Sequence, residues 1–275
     1  MAQGAKCKVT IVIGSGGMGL PIARRLASGR RLLLADYSDA SLEGALKVLR
    51  SEGYDVEGHA VDIVDYTAVC KLAQVAGDLG EIEAIVHTAG VAPGIGNTKQ
   101  IFEIDLLGTA NIIEAFLPVV SLGTSLVCIA SMAGSIVKLS PSLEEHLATA
   151  PLDRLLQHKE IDVESSDSGT AYGLAKRGNQ LRVQAAARNW GMKGARLNSV
   201  SPGVISTALV QKELDGLGGA RIKSMIELSA ARRIGTPHDI ANVVSFLVGP
   251  ESDFITGNDI LVDGGTVSGR RWHAE

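Results

Sequence analysis

Short, almost wholly apolar segments alternate with longer amphipathic segments along this chain, and this alternation constrains its fold most. The segments "VTIVI" (9–13) and "RLLLA" (31–35) are apolar almost throughout instead of at every second residue. Strands that are buried on both faces have this composition. The sequence therefore predicts a parallel sheet covered by helices on both sides.

Seven strands and the helices between them are predicted. The predicted strands are Lys8–Ile13, Arg31–Asp36, Val56–Val61, Ala84–Thr88, Ser125–Ala130, Arg196–Val200 and Ile260–Val262. The predicted helices are Gly17–Ala27, Ala40–Ser51, Tyr66–Gly77, Gln100–Leu117, Thr170–Trp190 and Thr236–Leu247. Alternating strands and helices imply right-handed crossovers, hence a Rossmann-like doubly wound α/β fold. With no internal linker, residues 1–275 are predicted to form a single domain.

Two segments interrupt the alternation, Ser140–Ser168 and Ser206–Arg233. The first is polar with two short amphipathic pieces, Leu143–Ala148 and Leu152–His158, and the second contains "DGLGGA" (215–220), a predicted flexible bend. Both follow the carboxyl ends of predicted strands, where sheets of this kind bind ligands. Long connections are usually either functional or disordered.

The net charge of −4 and the absence of a dense Lys/Arg stripe argue against nucleic acid as a partner. The amino-terminal apolar run, Val9–Ile13, is too short for a signal peptide or a membrane span. We therefore expect a cytoplasmic protein that does not bind membranes.

The cysteines and histidines do not suggest a disulfide framework or a metal site. The three cysteines are widely spaced, and Cys7 and Cys128 lie in or beside apolar runs, which favours small buried side chains. We interpret His87 as a cleft-lining residue and His146 and His158 as solvated. No metal is expected.

A glycine-rich loop follows the first predicted strand. Gly14, Gly16 and Gly19 form G-x-G-x-x-G between a strand and a helix. We expect Gly14 to make a tight turn, Gly16 to let backbone amides approach a pyrophosphate, and Gly19 to pack the helix against the strand. A glycine-rich turn without a ligand is the alternative.

The second predicted strand ends at Asp36, seventeen residues after Gly19. A carboxylate at this place accepts hydrogen bonds from ribose hydroxyls and repels a 2′-phosphate. No Arg or Lys lies in the glycine loop or directly after Asp36. NAD is therefore favoured over NADP, although a helix-capping or loop carboxylate is also possible on this pattern.

Tyr172 and Lys176 are one turn apart on a predicted helix and share a face. An ammonium beside a phenol favours the phenolate, so the pair can transfer a proton. Taken alone, the pair is more often a surface feature. The preceding glycine loop, together with Ser131 after a predicted strand, favours the catalytic reading.

Several segments, in their order and spacing, resemble the short-chain dehydrogenase/reductase family from about Lys8 to Gly265. They are "GSGGMG" (14–19), "HTAG" (87–90), "IASMAG" (129–134), "YGLAK" (172–176), "RLNSVSPGVISTAL" (196–209), "RRIGTPHDIANVVSFLV" (232–248) and "ITGNDILVDGG" (255–265).

The resemblance implies a role for each matching position. Tyr172 is implied as the catalytic acid/base, Lys176 as the residue that holds the nicotinamide ribose, and Ser131 as the residue that binds the substrate oxygen. Asp62 is implied to lie by the adenine. The full set of implied cofactor-binding positions is Gly14, Ser15, Gly16, Gly17, Met18, Gly19, Asp36, Asp62, Ile63, Ala89, Gly90, Tyr172, Lys176, Pro202, Gly203, Ile205 and Thr207. The implied cofactor is NAD.

Three positions depart from the family pattern. The glycine loop is one residue shorter than usual, and His87 replaces the usual Asn of "NNAG". Asp105 stands where the family has a catalytic Asn that holds a relay water, and we expect Asp105 to hold that water or to pair electrostatically with Lys176.

The largest departure lies between Ser131 and Tyr172, which are 41 positions apart, far more than is usual in the family. The insertion is placed at residues 140–168. Because it begins beside the expected site of the substrate oxygen, we expect it to cap the substrate pocket or to add a subdomain. Some family members carry a helical insertion here that alters subunit assembly. A surface excursion without a catalytic role is the alternative.

The favoured function is an NAD(H)-dependent oxidoreductase that interconverts a secondary alcohol and a ketone, such as a hydroxysteroid, a 3-oxoacyl compound or another small carbonyl substrate. The alternatives are an epimerase or dehydratase with tightly held NAD and a non-catalytic NAD-binding sensor or scaffold. The resemblance also implies a homodimer or homotetramer through the helices 100–117 and 170–190 and the segment 236–262.

Overall fold

The computed structural model describes residues 7–214 and 219–273. One sheet of seven parallel strands forms its centre, in the order β3-β2-β1-β4-β5-β6-β7. The strands are β1 (Lys8–Ile13), β2 (Arg31–Asp36), β3 (Val56–Ala60), β4 (Glu81–His87), β5 (Ser125–Ile129), β6 (Arg196–Pro202) and β7 (Asp259–Val262). The predicted doubly wound parallel sheet is confirmed.

Helices cover both faces of the sheet. They are α1 (Gly19–Leu26), α2 (Asp39–Ser51), α3 (Tyr66–Leu79), α4 (Thr98–Gln100), α5 (Thr109–Phe116), α6 (Met132–Ile136), α7 (Pro141–Thr149), α8 (Ser168–Gly191), α9 (Ala208–Leu214), α10 (Gly219–Leu228), α11 (Pro237–Val248) and α12 (Thr266–His273). Most of the predicted bend at 215–220 lies outside the described residues.

Successive residues of β1 enter different cores, which shows why its sequence does not alternate. Ile11 and Ile13 pack with Phe116 and Trp190 in the core on one side of the sheet. Val12 belongs to the core on the other side. Because side chains of a strand point alternately to its two faces, both faces of β1 are covered.

The strand order reverses beside β1. The chain runs from β1 outward to β2 and β3, then returns to β4 on the other side of β1. Ile13 is paired with His87, and its carbonyl accepts hydrogen bonds from the backbone amides of Thr88 and Ala89. The loops after β1 and β4 therefore lie side by side at the switch point, where open sheets of this class bind ligands.

The insertion between Ser131 and Tyr172 folds onto α8. Its first amphipathic piece forms α7, whereas the second contains only a 3₁₀ turn, Leu152–Arg154. Leu143 and Leu147 are buried in a third apolar cluster with Phe102 and other residues of the neighbouring helices. The insertion thus adds a layer of core instead of a loose surface loop.

The helix predicted over 100–117 is not regular. The chain forms α4, then a π-helical segment at Ile101–Gly108, then α5. Asp105 lies within the π-helical segment, and its carbonyl accepts a hydrogen bond from the hydroxyl of Thr109. Wide turns of this kind are frequent at functional sites.

Three side-chain predictions need correction. Cys7 is exposed because it precedes β1 at the end of the sheet, whereas Cys128 is buried as expected. His146 and His158 are half-buried in the insertion. Their rings lie 4.9 Å apart, and the His146 ring is hydrogen-bonded to the carbonyl of Leu155.

Candidate active site

A cleft opens at the carboxyl ends of the central strands. Its volume is about 200 Å³. Its lining residues are Met18, Thr88, Gly90, Val91, Ala92, Ile129, Ala130, Ser131, Tyr172, Lys176, Pro202, Gly203, Ile205, Thr207 and Val210. Of the four side chains expected to take part in catalysis, Ser131, Tyr172 and Lys176 meet at this cleft although 45 positions separate the first from the last. The fourth, Asp105, is not among the lining residues.

Helix α8 presents Tyr172 and Lys176 to the cleft. Asp167 caps the helix by accepting hydrogen bonds from the amides of Gly169 and Thr170. The Nζ atom of Lys176 lies 5.4 Å from the centre of the Tyr172 ring, and the lysine is 5% exposed. The ammonium and the phenol ring are therefore close neighbours on one face of α8.

Ser131 occupies the N-cap of α6. Its Oγ accepts a hydrogen bond from the amide of Ala133, so its own proton remains for donation into the cleft. The hydroxyl is thereby placed to donate to an oxygen atom of a bound molecule.

Asp105 lies directly behind Lys176. Its Oδ1 atom is 3.5 Å from Nζ of Lys176 and accepts a hydrogen bond from the amide of Val91. Its Oδ2 atom is buried with no hydrogen-bond partner among the described residues. Burial raises the pKa of Asp105, against the opposing effect of Lys176 and Val91. Burial alone lowers the pKa of Lys176, but Asp105 and Tyr172 outweigh it and raise that pKa.

His87 does not line the cleft but lies in the protein interior. It is 1% exposed, and its Nε2 atom lies 3.0 Å from Oγ1 of Thr109. Because that hydroxyl donates to the carbonyl of Asp105, Nε2 is the protonated nitrogen that donates to Thr109. Burial, helped by the charge of Lys176, lowers the pKa of His87 to about 3. The imidazole is therefore neutral and supports the π-helical segment that carries Asp105.

The glycine loop has the geometry of a phosphate cradle. Gly14 has φ +101°, and a Cβ there would lie 2.5 Å from Oγ1 of Thr88. A Cβ on Gly19 would overlap the carbonyl oxygen of Gly14, whereas one on Gly16 would meet open space. A Cβ on Gly17 would lie 3.0 Å from Thr207 on the opposite wall. Neighbouring atoms thus crowd the loop at Gly14 and Gly19, whereas Gly16 borders open space. This arrangement fits a dinucleotide.

Asp36 stands at the end of β2 beside this loop. Its Oδ2 atom accepts hydrogen bonds from the amide and the hydroxyl of Ser15, both at 2.7 Å, and its Oδ1 atom accepts one from the amide of Ser38. A carboxylate has about four lone-pair positions, so one remains for a ribose hydroxyl and a second becomes available if the Ser15 hydroxyl rotates.

The expected adenine-side residues differ in exposure. Asp62 is exposed after β3, and its carboxylate accepts a hydrogen bond from the amide of Val64. Ile63 is 5% exposed and packs in the core, and Asn111 donates a hydrogen bond to its carbonyl. Any contact of Ile63 with a cofactor is thus restricted to its backbone.

The structure adds six lining residues that were not predicted: Thr88, Val91, Ala92, Ile129, Ala130 and Val210. The first five lie within or directly beside "HTAG" and "IASMAG", so extending those motifs by two residues would have found them. Val210 carries no comparable signal. The insertion packs on α8, and none of its residues is among those that line this cleft, so its action as a pocket cap stays a prediction.

Residues 7–214 and 219–273 contain neither a metal-binding cluster nor a helix able to span a membrane. No group of three or more His, Cys, Asp and Glu side chains is arranged to hold a metal ion. No helix in these ranges has the length and apolar character needed to cross a membrane.

Two family models match most of the chain. The model described as short chain dehydrogenase matches residues 8–141, and the model described as Enoyl-(Acyl carrier protein) reductase matches residues 160–267. The residues between the two matches fall within the insertion.

Known proteins resemble the chain over nearly its whole length. Short-chain dehydrogenase/reductase bsc3 of Alternaria brassicicola is 34% identical, with 94% of this chain and 95% of the relative covered. Short-chain dehydrogenase/reductase aba4 of Botryotinia fuckeliana is 30% identical, with 94% and 96% covered. The crystal structure of gox2181 has a TM-score of 0.77 at 23% identity, with 95% and 96% covered.

Proposed function

Because the chain belongs to the short-chain dehydrogenase/reductase family, we propose that it is an NAD(H)-dependent oxidoreductase that interconverts a secondary alcohol and a ketone. One observation carries this proposal. Ser131, Tyr172 and Lys176 share a cleft with Gly203 and Thr207, across from the glycine loop. Proton-transfer groups and a dinucleotide cradle therefore face the same space.

A bound nicotinamide cofactor supplies or accepts the hydride. In reduction, the Ser131 hydroxyl donates a hydrogen bond to the carbonyl oxygen, and the phenol of Tyr172 donates its proton as negative charge develops there. In oxidation, the phenolate of Tyr172 removes the hydroxyl proton of the alcohol. Lys176 stabilises that phenolate and is placed to hold the ribose hydroxyls of the nicotinamide half.

We assign Asp105 to charge control behind Lys176. When Asp105 is ionised, its negative charge offsets part of the positive charge that Lys176 exerts on Tyr172. The unpartnered Oδ2 atom is an acceptor for a proton-relay water or for the Lys176 ammonium itself. Asp105 replaces the usual Asn with a group that can carry charge.

The choice of NAD rests on Asp36. A carboxylate at the end of the second strand would repel the 2′-phosphate of NADP. Neither the glycine loop nor Tyr37, which follows Asp36, offers a cation to bind that phosphate.

We also propose that the protein is a homo-oligomer, with the β7 edge as the contact surface. The α8 face that the family commonly uses is occupied by Leu143 and Leu147 of the insertion. Three apolar side chains near β7 are exposed, namely Leu261 on the strand itself, Phe246 on α11 and Phe254 before the strand.

The experiment uses purified protein, NAD⁺ and a panel of secondary alcohols that includes hydroxysteroids and 3-hydroxyacyl thioesters, with reduced nicotinamide measured by absorbance. Turnover that is lost in Tyr172→Phe supports the proposal. The control is Tyr37→Phe, which alters an exposed tyrosine outside the cleft. Cofactor binding without turnover on the whole panel would indicate a sensor or scaffold, and isomerised product without net reduced cofactor would indicate an epimerase.

A further inference from the structure

The amide of Gln180 is held in one orientation between a cation and a carboxylate. Gln180 follows Lys176 by one turn of α8 and is 1% exposed. Its Nε2 atom lies 3.1 Å from Oδ2 of Asp259 and 2.9 Å from Oγ of Ser201. Its Oε1 atom accepts a hydrogen bond from Nη1 of Arg177 at 3.3 Å. Since arginine can only donate and an ionised carboxylate can only accept, the amide cannot flip without losing both partners.

The same Nε2 atom faces the helix that Ser131 begins. It lies 3.2 Å from Oγ of Ser135 and 3.5 Å from the carbonyl oxygen of Ser131. A Cβ on Gly134 would come within 3.0 Å of this nitrogen and 2.7 Å of the Arg177 amide. Helix α6 is thus seated directly on α8, and Gln180 lies at the contact.

The inner end of this network is anchored in the sheet. The Oδ1 atom of Asp259, on β7, accepts hydrogen bonds from Oγ of Ser199 at 2.6 Å and of Ser201 at 2.8 Å. Both serines lie on β6 and are 0% exposed. Burial raises the pKa of Asp259, and the two serine hydrogen bonds oppose that rise. Gln180 therefore connects the last two strands to α6.

The outer end reaches the insertion. Arg177 donates two hydrogen bonds to Oε1 of Glu144 on α7, from Nη2 at 2.7 Å and from Nε at 3.1 Å. The insertion, which does not line the cleft, thereby contacts the residue that orients the Gln180 amide.

We propose that Gln180 is a positioning residue that holds Ser131 at the cleft, and that Glu144 of the insertion supports it through Arg177. This inference rests on the proposed function, because it assumes that Ser131 binds the substrate oxygen. It gives the insertion a role in catalysis at a distance from the substrate.

The test is a double-mutant cycle between Gln180→Met and Ser131→Ala. Methionine keeps the length of glutamine and removes its amide. We expect Gln180→Met to lower kcat about five- to tenfold while leaving the Kd of NADH unchanged. In the Ser131→Ala background the same change is expected to have no further effect on kcat. A loss of equal size in both backgrounds would show a merely structural role and would overturn the inference.

One further variant serves as a control, and a second replaces Gln180→Met if that variant does not fold. Asn179→Leu alters the neighbouring residue of α8, which is 1% exposed and has no side-chain hydrogen bond among the described residues, and it is expected to keep the wild-type kcat. Should Gln180→Met not fold, Arg177→Met changes a partly exposed side chain and is expected to lower kcat two- to threefold, with no effect once Ser131 is alanine.

The outcomes separate this inference from the proposed function. Full activity in Ser131→Ala would contradict the role assigned to Ser131. An impaired Ser131→Ala with an unimpaired Gln180→Met would overturn the positioning role alone. A crystal structure of Gln180→Met, which needs no substrate, is expected to show a displaced Ser131, and an unmoved Ser131 would also overturn it.

Discussion

The carboxylate of Asp105 and the ammonium of Lys176 lie 3.5 Å apart with almost no solvent access, the two side chains being 0% and 6% exposed. A buried charge pair interacts far more strongly than one on the surface, because water does not screen it. The charge of Lys176 is therefore partly neutralised by Asp105 on one side, while the Tyr172 ring lies on its other side.

The first prediction concerns Asp105→Asn, which restores the family residue. Loss of the negative charge removes the partner of the Lys176 ammonium and so increases the net positive charge in the cleft. The acidic limb of the pH profile for alcohol oxidation should move to lower pH by about half a unit to one unit. Steady-state kcat against pH measures this shift. Glu103→Gln, a change of a partly exposed carboxylate in the same π-helical segment, should leave the limb in place, and an unmoved limb in Asp105→Asn would exclude charge control.

Gly90→Ala should disrupt the same pair by steric overlap. An added Cβ would lie 2.5 Å from Oδ1 of Asp105 and 3.2 Å from Nζ of Lys176. We expect kcat/KM to fall about 10- to 100-fold because the lysine is displaced. Gly44→Ala, on an exposed face of α2 with nothing near the added methyl group, should leave kcat/KM unchanged. Wild-type kinetics in Gly90→Ala would mean that the pair tolerates displacement.

Asp36→Asn tests the cofactor choice. Removal of the charge reduces repulsion of a 2′-phosphate, so the ratio of kcat/KM with NAD to that with NADP should fall at least about tenfold. Asp39→Asn removes an exposed carboxylate three residues later, at the start of α2, and should preserve the ratio. An enzyme that already prefers NADP would refute the assignment directly.

His87 should make the protein less stable in acid. Its pKa is about 3 in the folded state, against an ordinary value of 6.5. The unfolded chain therefore binds a proton that the folded chain does not, so stability rises with pH and is lost as pH falls from about 6.5 towards 3. Between pH 5 and 6 this residue should account for about 1 kcal/mol of the change in unfolding free energy.

Denaturant unfolding at both pH values, with His87→Asn as the variant, measures that contribution. The variant should be less sensitive to pH by this amount, whereas His273→Asn, at an exposed position of α12, should behave like the wild type. Equal pH dependence in all three proteins would show that His87 is protonated in the folded state.

Leu147→Ala tests whether the insertion is part of the core. Leu147 is 0% exposed and contacts the α8 surface at Gly178. We expect a loss of about 2–4 kcal/mol in the free energy of unfolding. Leu122→Ala, at a side chain that is 81% exposed, is the matched control and should cost less than about 1 kcal/mol. A loss of unfolding free energy in Leu147→Ala no larger than that in Leu122→Ala would indicate that the insertion is a tolerated surface excursion.

The local sequence pattern was sufficient to predict the sheet and the glycine loop beside the cleft. The apolar runs of β1 and β2 specified a sheet covered on both faces, because a strand with two buried faces cannot carry alternating polar residues. The positions of Gly14 and Gly19 specified the loop, because only glycine has no Cβ to collide with the adjoining backbone. Both patterns can be recognised from residues that are close together in the chain, even though the Cβ of a residue at position 14 would collide with the distant Thr88.

The tertiary structure decided the rest, since it depends on contacts between distant residues. The sequence left open whether the insertion is a surface excursion, and only the packing of Leu143 and Leu147 shows that it adds to the core beside α8. A regular helix and a π-helical segment have the same apolar pattern at 101–108, so the environment of Asp105 was not encoded locally. The Gln180 network joins β6, β7, α6 and α8. The sequence spacing does not predict that Asp259 lies near the helix that Ser131 begins, because only the folded sheet brings these residues together.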